Sequence, residues 1–202
     1  MQTPKPSKSV FPSPGKISTA IAFLNTDEAA SFATVAWVII EWSRERKPKF
    51  VGLLTGSIAG LATITPCTGF VPQWAAALIG TLAGVVCYLA VQLKNKMKWD
   101  DALDVWGVHR VGGVLGTILL GLFATKAINP AGADGLLAGG GATFLMKQIV
   151  AVVIASAYAF IFTYVALAII NLVTRVRVSE EEEMAGLDTS LHGEKAYDDG
   201  AL

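Results

Sequence analysis

The sequence predicts an all-α fold: a polytopic membrane helix bundle of about five transmembrane helices. Three observations predict it. Of 202 residues, 53% are apolar and only 16% charged, and the mean hydropathy of +0.53 lies above that of soluble globular chains. The apolar residues gather into stretches at about 22–43, 51–65, 74–93, 102–125 and 144–173, separated by charges and turn residues. Glycines recur at a spacing of four as Gly52, Gly56 and Gly60, as Gly80 and Gly84, and as Gly112 and Gly116. Lipid tails are as apolar as leucine, so helices in a bilayer associate where small residues let backbones approach. Such matches in consecutive stretches favour a packed bundle over independent anchors.

In chain order, residues 1–21 are predicted to be a disordered leader, because Met1 to Lys16 is rich in Pro, Ser and Lys and has no compact apolar run that would make a cleavable signal. The first stretch is free of charge only from Ala29 to Ile40 and is flanked by Asp27, Glu28 and Glu41. It is expected to cross with both ends at the interface. The second is short and stops at Thr65-Pro66, where proline lacks an amide hydrogen, ahead of Gly69. The third, Ala75 to Leu93, carries no charge, and a bilayer core needs about 20 such residues. The fourth holds His109, and the fifth can span with tilt over Ile149 to Val173. The transmembrane domain is thus placed at 22–175. Residues 176–202 form a tail too polar to insert, with the acidic run Glu180 to Glu183.

Charge sets orientation. Arg44, Arg46, Lys47 and Lys49 form one basic cluster, Lys94, Lys96 and Lys98 a second, and Arg175 and Arg177 follow the last stretch. The intervening connections, Pro66 to Gln73 and Lys126 to Thr143, are poor in basic residues. Basic loops collect on the cytoplasmic side, so the amino terminus is expected outside and the tail inside a cell membrane crossed several times; Lys5, Lys8 and Lys16 are outvoted. The 16 basic and 16 acidic residues cancel, leaving no field to hold a phosphate backbone, so nucleic acid is not an expected partner. Cys67 and Cys87 read as small buried hydrophobes rather than half of a disulfide framework.

His109 lies in Asp104-Val105-Trp106-Gly107-Val108-His109-Arg110-Val111-Gly112-Gly113. At about 3.6 residues per turn, Val105, His109, Gly113 and Gly116 share a face. An ionisable group inside a span is a functional hypothesis, against the alternative of a neutral core histidine bonded to a neighbouring helix. Burial would keep the ring neutral, with one donor and one acceptor nitrogen for a small polar solute such as ammonia. Arg110 is rotated by about 100° and points elsewhere, its role unassigned. Asp100, Asp101 and Asp104 are expected to cap this helix. No catalytic residue, metal site or cofactor is expected: the sequence has no H-E-x-x-H, no G-x-S-x-G, and no second titratable group paired with His109 inside a span.

The string Asp101-Ala102-Leu103-Asp104-Val105-Trp106-Gly107-Val108-His109 with Gly112-Gly113 closely resembles a signature of the ammonium transporter family (Amt/Mep, related to Rh proteins). Gly60-Leu61-Ala62-Thr63-Ile64-Thr65-Pro66 with Gly69-Phe70-Val71 resembles that family's helix-to-loop break. Asn25-Thr26 through Glu41-Trp42 resembles the segment upstream. Gly186-Leu187-Asp188, His192-Gly193-Glu194 and Ala196-Tyr197 resemble its cytoplasmic tail. The likeness runs from about residue 24 to 199 and corresponds to the carboxyl-terminal half of an eleven-helix protomer. Two departures stand out: Arg110 where the family usually has glycine, and Asp27-Glu28 in place of small apolar residues.

The resemblance implies trimers with a narrow pore in each protomer, built between two inverted repeats. His109 matches the pore histidine of the later repeat and Val105 an apolar wall position. Ammonium would lose its proton before the apolar pore, and ammonia would pass along the imidazoles, excluding potassium. Asp104, Gly112, Gly113 and Pro66 fall to capping or structural roles, and Gly186, Asp188, His192, Gly193 and Tyr197 to a regulatory tail that could receive a PII-type signalling protein. Two functions stay open: transport of ammonium for nitrogen uptake, as a homotrimer or part of one, and a non-conducting subunit that assembles with and modulates full-length relatives.

Overall fold

In a computed structural model, which describes residues 14–194, the chain is helical, with no strand among the described residues. Helix α1 spans Pro14–Glu45, α2 Phe50–Ile64, α3 Gln73–Met97, α4 Val111–Phe123, α5 Ala142–Val173 and α6 Glu180–Ala185. A π-helical turn, Trp106–Arg110, leads directly into α4. Gln73–Met97, Trp106–Phe123 and Ala142–Val173 are long and apolar enough to cross a membrane, and α2 is a shorter apolar helix. Helix α1 starts at Pro14, inside the stretch assigned to the leader. The chain divides into one compact unit up to Val153 and a second from Ile154.

The first unit is organised by α1. Its residues Asn25, Ala29, Ala33, Trp37 and Glu41 recur every fourth position, and all are buried, as a single helix face must be at about 3.6 residues per turn. The small residues in the middle of this stripe receive the glycines of the next two helices. A Cβ on Gly60 would lie 2.7 Å from Ala33 Cβ, one on Gly56 2.7 Å from Trp37 Cβ, and one on Gly84 2.9 Å from Ala36 Cβ. The spacing-of-four glycines of α2 and α3 therefore both pack on α1. At one end Trp37 meets Tyr88 edge-on, ring centroids 5.2 Å apart. At the other, Asn25 Nδ2 donates to the carbonyls of Thr68 and Val71, each at 2.8 Å, fixing the α2–α3 connection to α1.

Glu41 was expected at a membrane interface. Its side chain is buried, lies against Gly52 in the first turn of α2 and accepts the Lys49 amide at 3.3 Å. The amides opening α2 have no partner within their own helix, and the helix dipole favours a carboxylate there. Lys49 also pairs with Glu45. In α5 no residue is buried, although Leu145 near its start packs against Gly121 of α4.

In the second unit, α6 opens with a capping box. Glu182 N–H donates to Ser179 Oγ at 3.3 Å, and the Glu182 carboxylate accepts the Ser179 amide at 2.7 Å. Gly186 and Gly193 end their turns at φ of 90° and 69°, where a side chain would be strained. The Ser179 amide, and after it the Ser179 hydroxyl, hold the Glu182 carboxyl below its ordinary 4.5. A lowered folded value means the box contributes fully above that ordinary value and is lost as pH falls through the lowered one. Hydrogen exchange at the Glu182 amide should accelerate, after correction for intrinsic rates, only below pH 4.5; protection unchanged at lower pH would show that the box does not hold α6.

Candidate functional site

Two aspartates open the segment bearing His109. Asp101 starts it: its carboxylate accepts the amides of Val105 at 3.0 Å and Trp106 at 2.9 Å, so this residue supplies the cap. Asp104, expected among the caps, begins the helix only through its backbone carbonyl, which accepts Val108 N–H at 2.9 Å. Its carboxylate instead pairs with Lys94 of α3 at 2.5 Å. Asp101→Ala is expected to cost about 0.5–2 kcal/mol of stability and Asp101→Asn much less; a chemical denaturation series in detergent that ranks them the other way would refute the cap.

Periodicity predicts a regular helix through His109, but the chain takes a π turn there. The Val111 amide donates to the Trp106 carbonyl, a five-residue step that inserts one residue beyond the α-helical repeat. Val108, Gly112, Gly116 and Leu119 are the packed side. A Cβ on Gly112 would come within 2.8 Å of Thr63 Oγ1, and one on Gly116 within 3.1 Å of Pro66 Cγ. Pro66, expected to be structural, is therefore part of the α2–α4 crossing, where Cys67 Sγ also donates to the Gly116 carbonyl at 3.1 Å. Gly116 belongs to this packed side and not to the face of His109.

His109 is exposed, as are Val105 (48%) and Arg110, and a Cβ on Gly113 would meet nothing within 4 Å. The imidazole is thus not buried among this chain's own helices. It follows Val108 by one residue, which turns it about 100° away from the packed side. The open stripe it occupies consists of Val105, His109 and Gly113 on a membrane-length helix. Arg110 has no hydrogen-bond or ion-pair partner among the described residues, and nothing in the structure explains it. In the tail, Gly186, Asp188, His192 and Gly193 lie around the short turn Asp188–His192, and Tyr197 lies outside the described residues.

Sequence reasoning missed Lys94. Read as one of three loop lysines, it is buried while Lys96 and Lys98 are exposed. Its signal was the run of aspartates that follows it, since a lysine withdrawn from water needs a carboxylate. Trp99 and Trp106, edge-on with centroids 4.9 Å apart, close the same corner.

Glycine-packed helices of membrane length, one presenting an imidazole on an open stripe, define a helical membrane bundle. The model of the Ammonium Transporter Family matches residues 9–197, and the chain belongs to that family. It is 47% identical over 179 residues to an ammonium transporter of Bacillus subtilis, an alignment covering 88% of this chain and 44% of that protein. It is 41% identical over 176 residues to ammonium transporter Amt1 of Archaeoglobus fulgidus, covering 87% and 44%. The crystal structure of Saccharomyces cerevisiae Mep2 superposes with a TM-score of 0.80 at 33% identity, over 92% of this chain and 43% of that one. The chain thus spans about half the length of the relatives it matches.

Proposed function

We propose that this chain forms part of a membrane transporter for ammonium, with His109 presenting one wall of the route along which ammonia crosses. The observation that carries this reading is an imidazole on the open stripe of a membrane-length helix, flanked by Val105 and by the unfilled space at Gly113. Moving a bare cation into a medium of low dielectric costs several kcal/mol even after relaxation, whereas a neutral amine costs far less. A ring carrying one donor and one acceptor suits the neutral solute. The basic loops support an outside amino terminus and a cytoplasmic tail. We further read the assembly as trimeric, alone or with full-length relatives, and the tail around Gly186 to Gly193 as the face for a PII-type signalling protein.

A second reading has its own support. His109 and Val105 are uncovered by this chain, which suits a subunit that inserts beside a full-length relative and modulates it. Cells stripped of their own ammonium transporters and grown on limiting ammonium separate the two. Growth from this chain alone supports conduction. Reduced uptake only when a full-length relative is coexpressed supports modulation, and no effect in either setting refutes both.

A further inference from the structure

Helix α3 meets the His109 segment with three buried residues at spacings of four and three: Cys87, Val91 and Lys94. Cys87 Sγ lies 3.9 Å from the Val108 carbonyl. A Cβ on Gly107 would touch Val91 Cγ2 at 2.7 Å. Lys94 Nζ donates to the Asp101 carbonyl at 2.7 Å and to Asp104 Oδ1 at 2.5 Å. Farther along, Gly112 and Gly116 are fixed against Thr63 and Pro66 at the end of α2. The segment is therefore held before the π turn by Lys94, along it by Val91 and Cys87 of α3, and after it by the end of α2.

Asp104 turns the chain at φ of 54°, a left-handed conformation that aspartate adopts more readily than most residues with a side chain. The turned carboxylate meets the buried ammonium of Lys94, which is 6% exposed and whose charge is matched by this carboxylate and one carbonyl.

We propose that Lys94 is the positioning residue for His109: it pins Asp101 and Asp104 to α3, so that the extra residue before the Gly112 contact is taken up as the π turn that aims the imidazole onto the open stripe. This rests on the reading of His109 as a wall of the ammonia route. Without the pin, the turn can relax to a regular helix. Relaxation shifts Val105 by about one residue's rotation relative to Gly113 and so changes the tilt and surroundings of the ring between them.

The chain has two histidines, His109 and His192, so full-length protein labelled with 15N-histidine in lipid nanodiscs gives two imidazole sets, assigned with His192→Gln. Lys94→Met is expected to shift the His109 resonances while leaving those of His192 in place. It should speed amide exchange at Val105 and Trp106 about tenfold or more, without changing exchange at Ala33 and Gly60. Lys94→Arg should restore the wild-type pattern in large part. Asp104→Asn keeps the shape and one acceptor oxygen, should move the same signals less, and supplies the test if Lys94→Met fails to insert. Unchanged His109 resonances and amide exchange in whichever variants insert would overturn the proposal. If the resonances move as expected but His109→Ala leaves uptake intact, the transport reading fails and the positioning role stands. If His109→Ala abolishes uptake while Lys94→Met leaves both ring and rate unaltered, the positioning role fails alone.

Discussion

Gly80→Val is expected to unfold the crossing of α1 and α3. A Cβ at this position would stand 2.7 Å from Ala29 Cα and 2.9 Å from Ala29 C. These are backbone atoms in the middle of a helix, with no flexible tip to swing away. Overpacking a core costs about 1–3 kcal/mol when side chains can adjust. Here the two helices must separate, and the loss extends to Asn25, Ala33 and Trp37 along the same buried stripe, so at least about 3 kcal/mol is expected. The control is Gly113→Ala, which meets nothing within 4 Å and removes a helix-weakening glycine, so it should change stability by about 1 kcal/mol or less, in the favourable direction. Unfolding in mixed micelles with increasing denaturing detergent reads both; equal stability of the two variants would show that close glycine packing does not hold this bundle.

Loss of transport on His109→Ala is the second large effect. A hydrogen bond made to a solute stripped of water is worth about 1.5–3 kcal/mol when it cannot be replaced, which is about 10- to 100-fold in rate at 1.4 kcal/mol per decade. His109→Asn, which keeps a donor and an acceptor, should retain part of the uptake, and Val105→Ala should have little effect because only apolar wall is removed. The assay is labelled methylammonium uptake in transporter-deficient cells, in whichever setting, alone or coexpressed, the wild-type chain changes uptake. Wild-type behaviour from His109→Ala would sink the assignment of His109 to the route, whatever the fold.

The helices were legible because their causes are local. Charges and prolines end the apolar runs where the structure ends its helices, as at Thr65-Pro66, and the spacing-of-four glycines lie where α2 and α3 touch α1. Three features were not legible. Glu41 read as an interfacial charge, yet its carboxylate serves the first turn of α2, a partner visible only once α1 and α2 are antiparallel neighbours. Lys94 read as a loop lysine, because nothing in its own helix says that Asp104 folds back onto it. The π turn defeated a periodicity argument, since a helix wheel assumes the repeat that the turn breaks.

From the residues alone followed the membrane setting, the order of the apolar helices, the glycine faces, and the resemblance around His109. Each of these depends on composition or on neighbours a few positions away. Only the tertiary structure decided which side of α4 is packed and which is open, that Asp101 rather than Asp104 supplies the cap, and that His109 stands on the open side. Such outcomes depend on pairs of atoms distant in sequence: Lys94 with Asp104, Gly112 with Thr63, Gly116 with Pro66. Periodicity gives a helix its faces; contact with a second helix determines which of them is covered.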